Sequence, residues 1–92
     1  MTHTIREKTK LLNRVRRIRG QVEAIERALE RELGCGDVLH LVAAVRGAIN
    51  GLMAEVMEDH IRLHVVDPAR ERNSERAERG QELIEAVHAY LK

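Results

Sequence analysis

Ninety-two residues set the size of one domain, 1–92, and a body this small buries little apolar surface without help from partners, metals or disulfides. The chain is 43% hydrophobic, yet it has no Phe, no Trp, a single Tyr, one Pro and six Gly, and no stretch alternates with period two. A hairpin-rich sheet is therefore excluded and the fold class is all-α. A single cysteine rules out an internal disulfide. With no apolar core in the N-terminal MTHTIREKTK, it points to a reducing, cytoplasmic setting. No run approaches the ~18 apolar residues of a membrane span, so no membrane partner is expected.

Net charge is +1, and it is unevenly divided. Residues 1–20 carry seven bases (Arg6, Lys8, Lys10, Arg14, Arg16, Arg17, Arg19) against one acid, Glu7, for a local balance of +6; the other residues therefore sum to −5. A basic arm on an acidic body favours contact with polyanions.

Residues 1–4 are polar and carry no helical pattern of their own. The first helix is predicted from about residue 5 to 32, with Gly34 as its stop. Its apolar stripe is Leu11, Val15, Ile18, Val22, Ile25 and Leu29, alternating steps of four and three in coiled-coil fashion. Beside that stripe Arg6, Lys10, Arg14, Arg17 and Gln21 share a second face, with Asn13 at its margin. Glu23, Glu26, Arg27, Glu30 and Arg31 make an ordinary solvated face of mixed sign.

Gly34-Cys35-Gly36 breaks the chain between helices, with Cys35 at the turn or in the first residues of the second helix and Asp37 suited to its positive end. That helix runs to about residue 66, before Asp67-Pro68, as one proline-free amphipathic stretch. Residues 69–79 read as a charged, solvated linker. Asn73 or Ser74 is placed to cap a third helix, which carries Leu83, Ile84, Val87, Tyr90 and Leu91 inward.

His60 and His64 are four positions apart, so both rings leave the same side of the second helix. Cys35 lies about seven turns earlier on nearly the same face, roughly 37 Å away along the axis. Cysteine thiolate and histidine imidazole are ligands of borderline transition metals. The two ends of one straight helix cannot meet, but they meet if a second copy packs antiparallel, its midpoint near residues 47–50. Ala43, Gly47 and Gly51 recur at four-residue steps there and allow close approach. His3 joins the set, with the α-amine, if the arm folds back. The plainer alternatives are two solvated histidines near a helix C-terminus and a cysteine acting as a small buried hydrophobe. His40 and His88 have no comparable partners and read as structural or surface residues.

A nitrogen-rich set with one thiolate suits Ni(II), Co(II) or Zn(II) better than Cu(I) or Mg(II), and a sixth ligand would favour octahedral nickel or cobalt over tetrahedral zinc. The basic arm reads as a phosphate-contacting surface, with a merely solvated helix flank as its alternative. No helix-turn-helix pattern and no stacking aromatics accompany it. A hydrolase using metal-bound water would need a general base, and Glu58 and Asp59 have no support in that role, so the chain is not read as an enzyme.

The blocks RVRRIRGQVEAIERALE, Cys35 and AAVRGAINGLMAEVMEDHI closely resemble the CsoR/RcnR/FrmR family of metal- or formaldehyde-responsive bacterial transcriptional repressors, over nearly the whole chain. The resemblance implies a three-helix protomer with two long helices, an antiparallel dimer and a homotetramer built as a dimer of dimers, with an inducer site between subunits. It also implies operator DNA as partner, released when the inducer binds. The nickel/cobalt branch, similar to RcnR and DmeR, uses an N-terminal amine, a histidine at the third position, a cysteine and two histidines. These fall here on Thr2 (after loss of Met1), His3, Cys35, His60 and His64. Arg14 and Arg17 match DNA-contacting positions and lie, with Lys10, on the basic face. The formaldehyde branch resembles MAEVMEDHIR but typically has Pro at position 2 and an acid at position 64. Its mode of sensing through Cys35 and the N-terminal amine is the alternative function. The copper branch has a second cysteine where His64 stands.

Overall fold

The computed structural model describes residues 7–91, which form three helices and no strand: α1 (Lys8–Glu30), α2 (Cys35–His64) and α3 (Ser74–Leu91). The all-α expectation holds. α2 is the shared element: α1 packs along it and α3 packs on it, while α1 and α3 make no contact with each other among the described residues. The result is long and thin, 57 × 26 × 13 Å. By length and apolarity alone α2 would suffice to cross a membrane, against the sequence expectation. Its ion pairs to α1, to α3 and to the connection after it place it instead at the centre of a three-helix unit.

Each helix boundary has a local cause. α1 ends at Glu30, two residues before its predicted end and four before the glycine stop. Leu33 N–H reaches Ala28 C=O at 3.0 Å and Glu32 N–H reaches Leu29 C=O at 3.1 Å, the paired bonds of a Schellman motif. The left-handed residue of that motif is Glu32, at φ 57°, rather than a glycine. Gly34 serves the next helix: it is extended, at φ −62° and ψ 155°, and its C=O accepts the Val38 N–H at 3.2 Å. Cys35 is thus the first residue of α2, with Asp37 in the first turn, where a negative charge favours the helix dipole. α2 stops at His64, where the N–H groups of Val65 and Val66 both return to Ile61 C=O, at 2.9 and 2.8 Å. α3 begins earlier than the charged composition of residues 74–79 suggested. Asn73 Oδ1 accepts the Arg76 N–H at 3.1 Å and caps the helix, so those residues are helical rather than linker.

The core lies between the C-terminal half of α2 and α3. Ala54, which is fully buried, and Ile61 meet Ile84 and Val87, with Val66 and Leu91 partly buried at the edge. Ile84, Val87 and Leu91 are inward as predicted. Leu83 and Tyr90 are not: Tyr90 is 88% exposed, because both stand about 100° round the helix from that face. The stripe of α1 divides in the same way. Leu11 and Ile18 are buried and Ile25 is half-buried against α2, whereas Val15, Val22 and Leu29 remain exposed in the protomer.

α3 is held to α2 at two further points. Gly80 is buried where the connection passes; a Cβ there would lie 2.6 Å from Val66 Cγ1 and 3.3 Å from Pro68 Cγ. The second point is polar: a His88 ring nitrogen sits 2.5 Å from Glu58 Oε1, and Arg62 Nε donates to Glu58 Oε2 at 2.9 Å. Arg62 also reaches Asp67 Oδ1 at 3.2 Å, tying the connection into the same group. Burial by itself pushes the Glu58 carboxyl up, but the hydrogen bonds and charges of His88 and Arg62 outweigh it and hold the carboxyl below its ordinary value of 4.5.

Three stability effects are expected. Gly80→Ala gains roughly 1 kcal/mol of helix propensity but drives a methyl into a β-branched side chain at a cost of about 1–3 kcal/mol, so denaturant melts should show net destabilisation; a raised midpoint would contradict the packing. Glu32→Gly should raise the midpoint, since relief of the left-handed penalty, about 1–2 kcal/mol, exceeds the added freedom of the unfolded chain. For Glu58 the lowered carboxyl means a stabilising contribution fully present above pH 4.5 and lost as pH falls through the still lower folded value. In metal-free protein the stability gap between wild type and Glu58→Gln should therefore narrow on acidification below that point. A constant gap across the acid range would show that Glu58 contributes nothing through its charge.

Candidate metal centre and nucleic-acid interface

The 30-residue length of α2 decides what its functional groups can reach. Cys35 opens the helix as an exposed free thiol. His60 and His64 stand at the other end, both exposed, with ring centroids 5.0 Å apart and planes tilted by 39°. One turn of helix is about 5.4 Å, so the two imidazoles are stacked side chains of successive turns on one face, as the spacing predicted. Cys35 is not brought to them within the protomer. Among the described residues no three His, Cys, Asp or Glu side chains converge into a metal-sized cluster. Thr2 and His3 lie outside the described residues.

Between those ends the same face of α2 is apolar and uncovered. Cys35, Val42, Ile49, Met53, His60 and His64 succeed one another at steps of seven, seven, four, seven and four, and all six are exposed. Such spacing makes one seam along a helix, of the kind that a second helix covers. The donor atoms terminate the seam at both ends. As a ligand set they fit a borderline transition metal: one sulfur that binds as thiolate and two imidazole nitrogens, all reachable from solvent.

Of the small-residue row Ala43, Gly47 and Gly51, the last is taken up within the protomer. Ala43 and Gly47 are exposed, but Gly51 is buried against α1, where a Cβ would stand 3.0 Å from Arg14 Nη1. The basic face itself is present on α1, and it is partly engaged. Arg14 Nη2 donates to Glu55 Oε1 on α2 at 2.8 Å, and Lys10 Nζ stands 3.6 Å from the same oxygen and 3.8 Å from Glu7 Oε2. Arg17 is exposed and makes no ion pair among the described residues, and Arg16 donates to Asn13 Oδ1 at 3.3 Å.

Two participants were missed in the sequence. Glu55 lies 41 residues from Arg14, so no local pattern marks it as a partner of the basic face. His88, read there as structural or surface, is the α3 contact of Glu58, 30 residues away. Asp59, beside His60, is buried although acidic. Its place between Ile61 and Met57 on the seam-forming helix gave no warning of that. His40, one turn beyond Gly36, is exposed as expected.

The sequence compares with known proteins over its full length. Residues 7–89 match the metal-sensitive transcriptional repressor family. The chain is 49% identical over 92 residues, covering all of both chains, to an uncharacterized protein in the bioA 5′ region of Serratia marcescens. It is 40% identical over 92 residues, again covering all of both, to the transcriptional repressor RcnR of Salmonella paratyphi B. A free thiol and paired imidazoles on a shared helix, a cationic face on its neighbour and this match from one end to the other lead to one conclusion: the chain belongs to the metal-sensitive transcriptional repressors, DNA-binding regulators rather than enzymes.

Proposed function

We propose that the protein is a nickel- or cobalt-responsive repressor that leaves its operator when metal binds and so derepresses a metal-efflux gene. The observation that carries this reading is the seam on α2, apolar along its length and ended by Cys35 on one side and His60 and His64 on the other. Two such helices laid antiparallel cover each other's exposed Val42, Ile49 and Met53 and bring the thiol of one chain to the imidazoles of the other, twice per dimer. The seven-residue rows left exposed on α1 (Val15, Val22, Leu29) and on α3 (Leu83, Tyr90) supply apolar surface for a homotetramer built as a dimer of dimers.

The donor set decides the metal. One thiolate with two imidazoles, joined by the His3 ring and the Thr2 amine once Met1 is removed, is nitrogen-rich and suits Ni(II) or Co(II), with Zn(II) as a tetrahedral competitor. Bound metal would supply a fixed positive centre linking two subunits. His64 in place of a second sulfur disfavours Cu(I). The identity to an RcnR supports the nickel/cobalt branch. Residues 2 and 3 lead directly into the segment that carries Lys10, Arg14 and Arg17, so ligands there are joined by a few peptide units to the proposed phosphate contacts. A coupling of about 1–3 kcal/mol between the two sites is enough for a 5–150-fold change in DNA affinity. Such a repressor acts where the chromosome is, in the cytoplasm.

Calorimetric titration of Ni(II) and Co(II) should give one metal per chain, and Cys35→Ala or His64→Ala should weaken binding by at least about tenfold, the least that loss of a supporting group costs a metal site. Mixing Cys35→Ala chains with His60→Ala/His64→Ala chains should restore one intact site per heterodimer. If the mixture binds no better than its components, the site is not shared between subunits. A promoter duplex released by dilute formaldehyde and not by nickel would transfer the function to aldehyde sensing.

A further inference from the structure

Arg14 belongs to the face assigned to phosphate, yet its guanidinium is turned away from solvent. The side chain is 32% exposed and lies across α2. Its Nη2 bonds Glu55 Oε1 at 2.8 Å, while its Nη1 rests over Gly51, where a Cβ would stand 3.0 Å away, tighter than an ordinary contact. Lys10 Nζ approaches the same Glu55 oxygen at 3.6 Å. Two of the cations that would neutralise a DNA backbone are therefore gathered on one carboxylate of the protein's own.

The pairing is asymmetric in what each partner can do without. Glu55 is 15% exposed and its Oε2 is buried with no hydrogen-bond partner among the described residues, where the two cations at Oε1 compensate its charge. A carboxylate stripped of its partner in that position is strongly disfavoured. A phosphate oxygen can replace Glu55 at Arg14, but among the described residues only Lys10, longer at 3.6 Å and more exposed, remains at Glu55 when Arg14 leaves. We propose that Glu55, seated beside Gly51, is an internal competitor for the DNA backbone: it holds Arg14, and in part Lys10, and the phosphate binds only by displacing it. Glu55 is thus a positioning residue that sets how weakly the metal-free protein grips DNA. This rests on the assignment of Lys10, Arg14 and Arg17 as phosphate contacts.

The test uses the full chain and a random-sequence DNA duplex, because backbone contacts are independent of sequence. Fluorescence anisotropy at fixed low salt is read for wild type and four variants. Arg14→Gln should lose affinity. Glu55→Gln should gain roughly two- to fivefold, the inverse of what a half-exposed ion pair contributes. Glu23→Gln changes net charge by the same amount at an exposed site and should gain less. Gly51→Ala alters no charge; its methyl pushes on the flexible end of Arg14 and should also raise affinity. Structural damage lowers affinity, so a gain in both Glu55→Gln and Gly51→Ala is not what a merely structural role produces, and thermal melts by circular dichroism confirm that each variant is folded.

If Arg14→Gln binds like wild type, the assignment of the basic face is wrong. If Arg14→Gln is impaired while either Glu55→Gln or Gly51→Ala fails to gain, or while Glu23→Gln gains as much as Glu55→Gln, the face stands and the competition does not exist.

Discussion

A straight helix cannot bring its own ends together, and α2 is 30 residues of uninterrupted helix. That rigidity fixes about 45 Å between its termini. Everything else is arranged around this rod. α1 lies along it, burying Leu11 and Ile18, and α3 packs at its far half around Ala54 and Ile61. Neither covers the face that carries Val42, Ile49 and Met53. The rod is too apolar for two helices to satisfy, and the excess is confined to one seam rather than scattered. A chain of this size has little core to spare, and surface left bare in so regular a row is what the proposed antiparallel pairing would cover.

Charge is distributed with the same economy of partners. Glu55 and Glu58 are three residues apart on α2 and face opposite neighbours: Glu55 takes Arg14 and Lys10 of α1, and Glu58 takes His88 of α3 together with Arg62 of its own helix. The acidic body that balances the basic arm in the sequence is thus in part the set of counter-charges that dock the outer helices on the central one. A half-buried pair between elements orients more than it stabilises, because desolvation consumes much of the Coulomb attraction. Under the proposed reading, in which the basic helix meets DNA in one orientation, such pairs have a use that a count of stabilising contacts does not show.

What could be read from the sequence was what is periodic. The three helices, the α2 face shared by Cys35, His60 and His64, and the basic flank of α1 all follow from steps of three and four. What could not be read depended on distance or on a single backbone angle. Glu32 adopts the left-handed conformation expected of Gly34, because the bonds from Leu33 to Ala28 and from Glu32 to Leu29 close the helix before the glycine is reached. Residues 74–79 look like a solvated linker by composition and are helical instead, although the Asn73 cap that starts α3 was itself legible in the sequence. Tyr90 and Leu83 look inward on a generous apolar stripe, but one facing helix covers only the narrower row of Ile84, Val87 and Leu91. The Arg14–Glu55 and His88–Glu58 contacts join positions 41 and 30 residues apart, and no local window contains either.

The two proposed sites meet on α2. Glu55 and His60 are five residues apart, about 7.5 Å along the axis and roughly 140° round it. One therefore faces α1 and the basic surface while the other faces the seam. A rigid rod carries a small rotation or tilt from one face to the other without loss over so short a span. Occupation of the seam end does not need to travel through a chain of intermediaries to reach Arg14; it needs only to change how α2 lies against α1. The coupling in this reading is the angle of one helix, read on one side by imidazoles and on the other by a carboxylate that competes with phosphate.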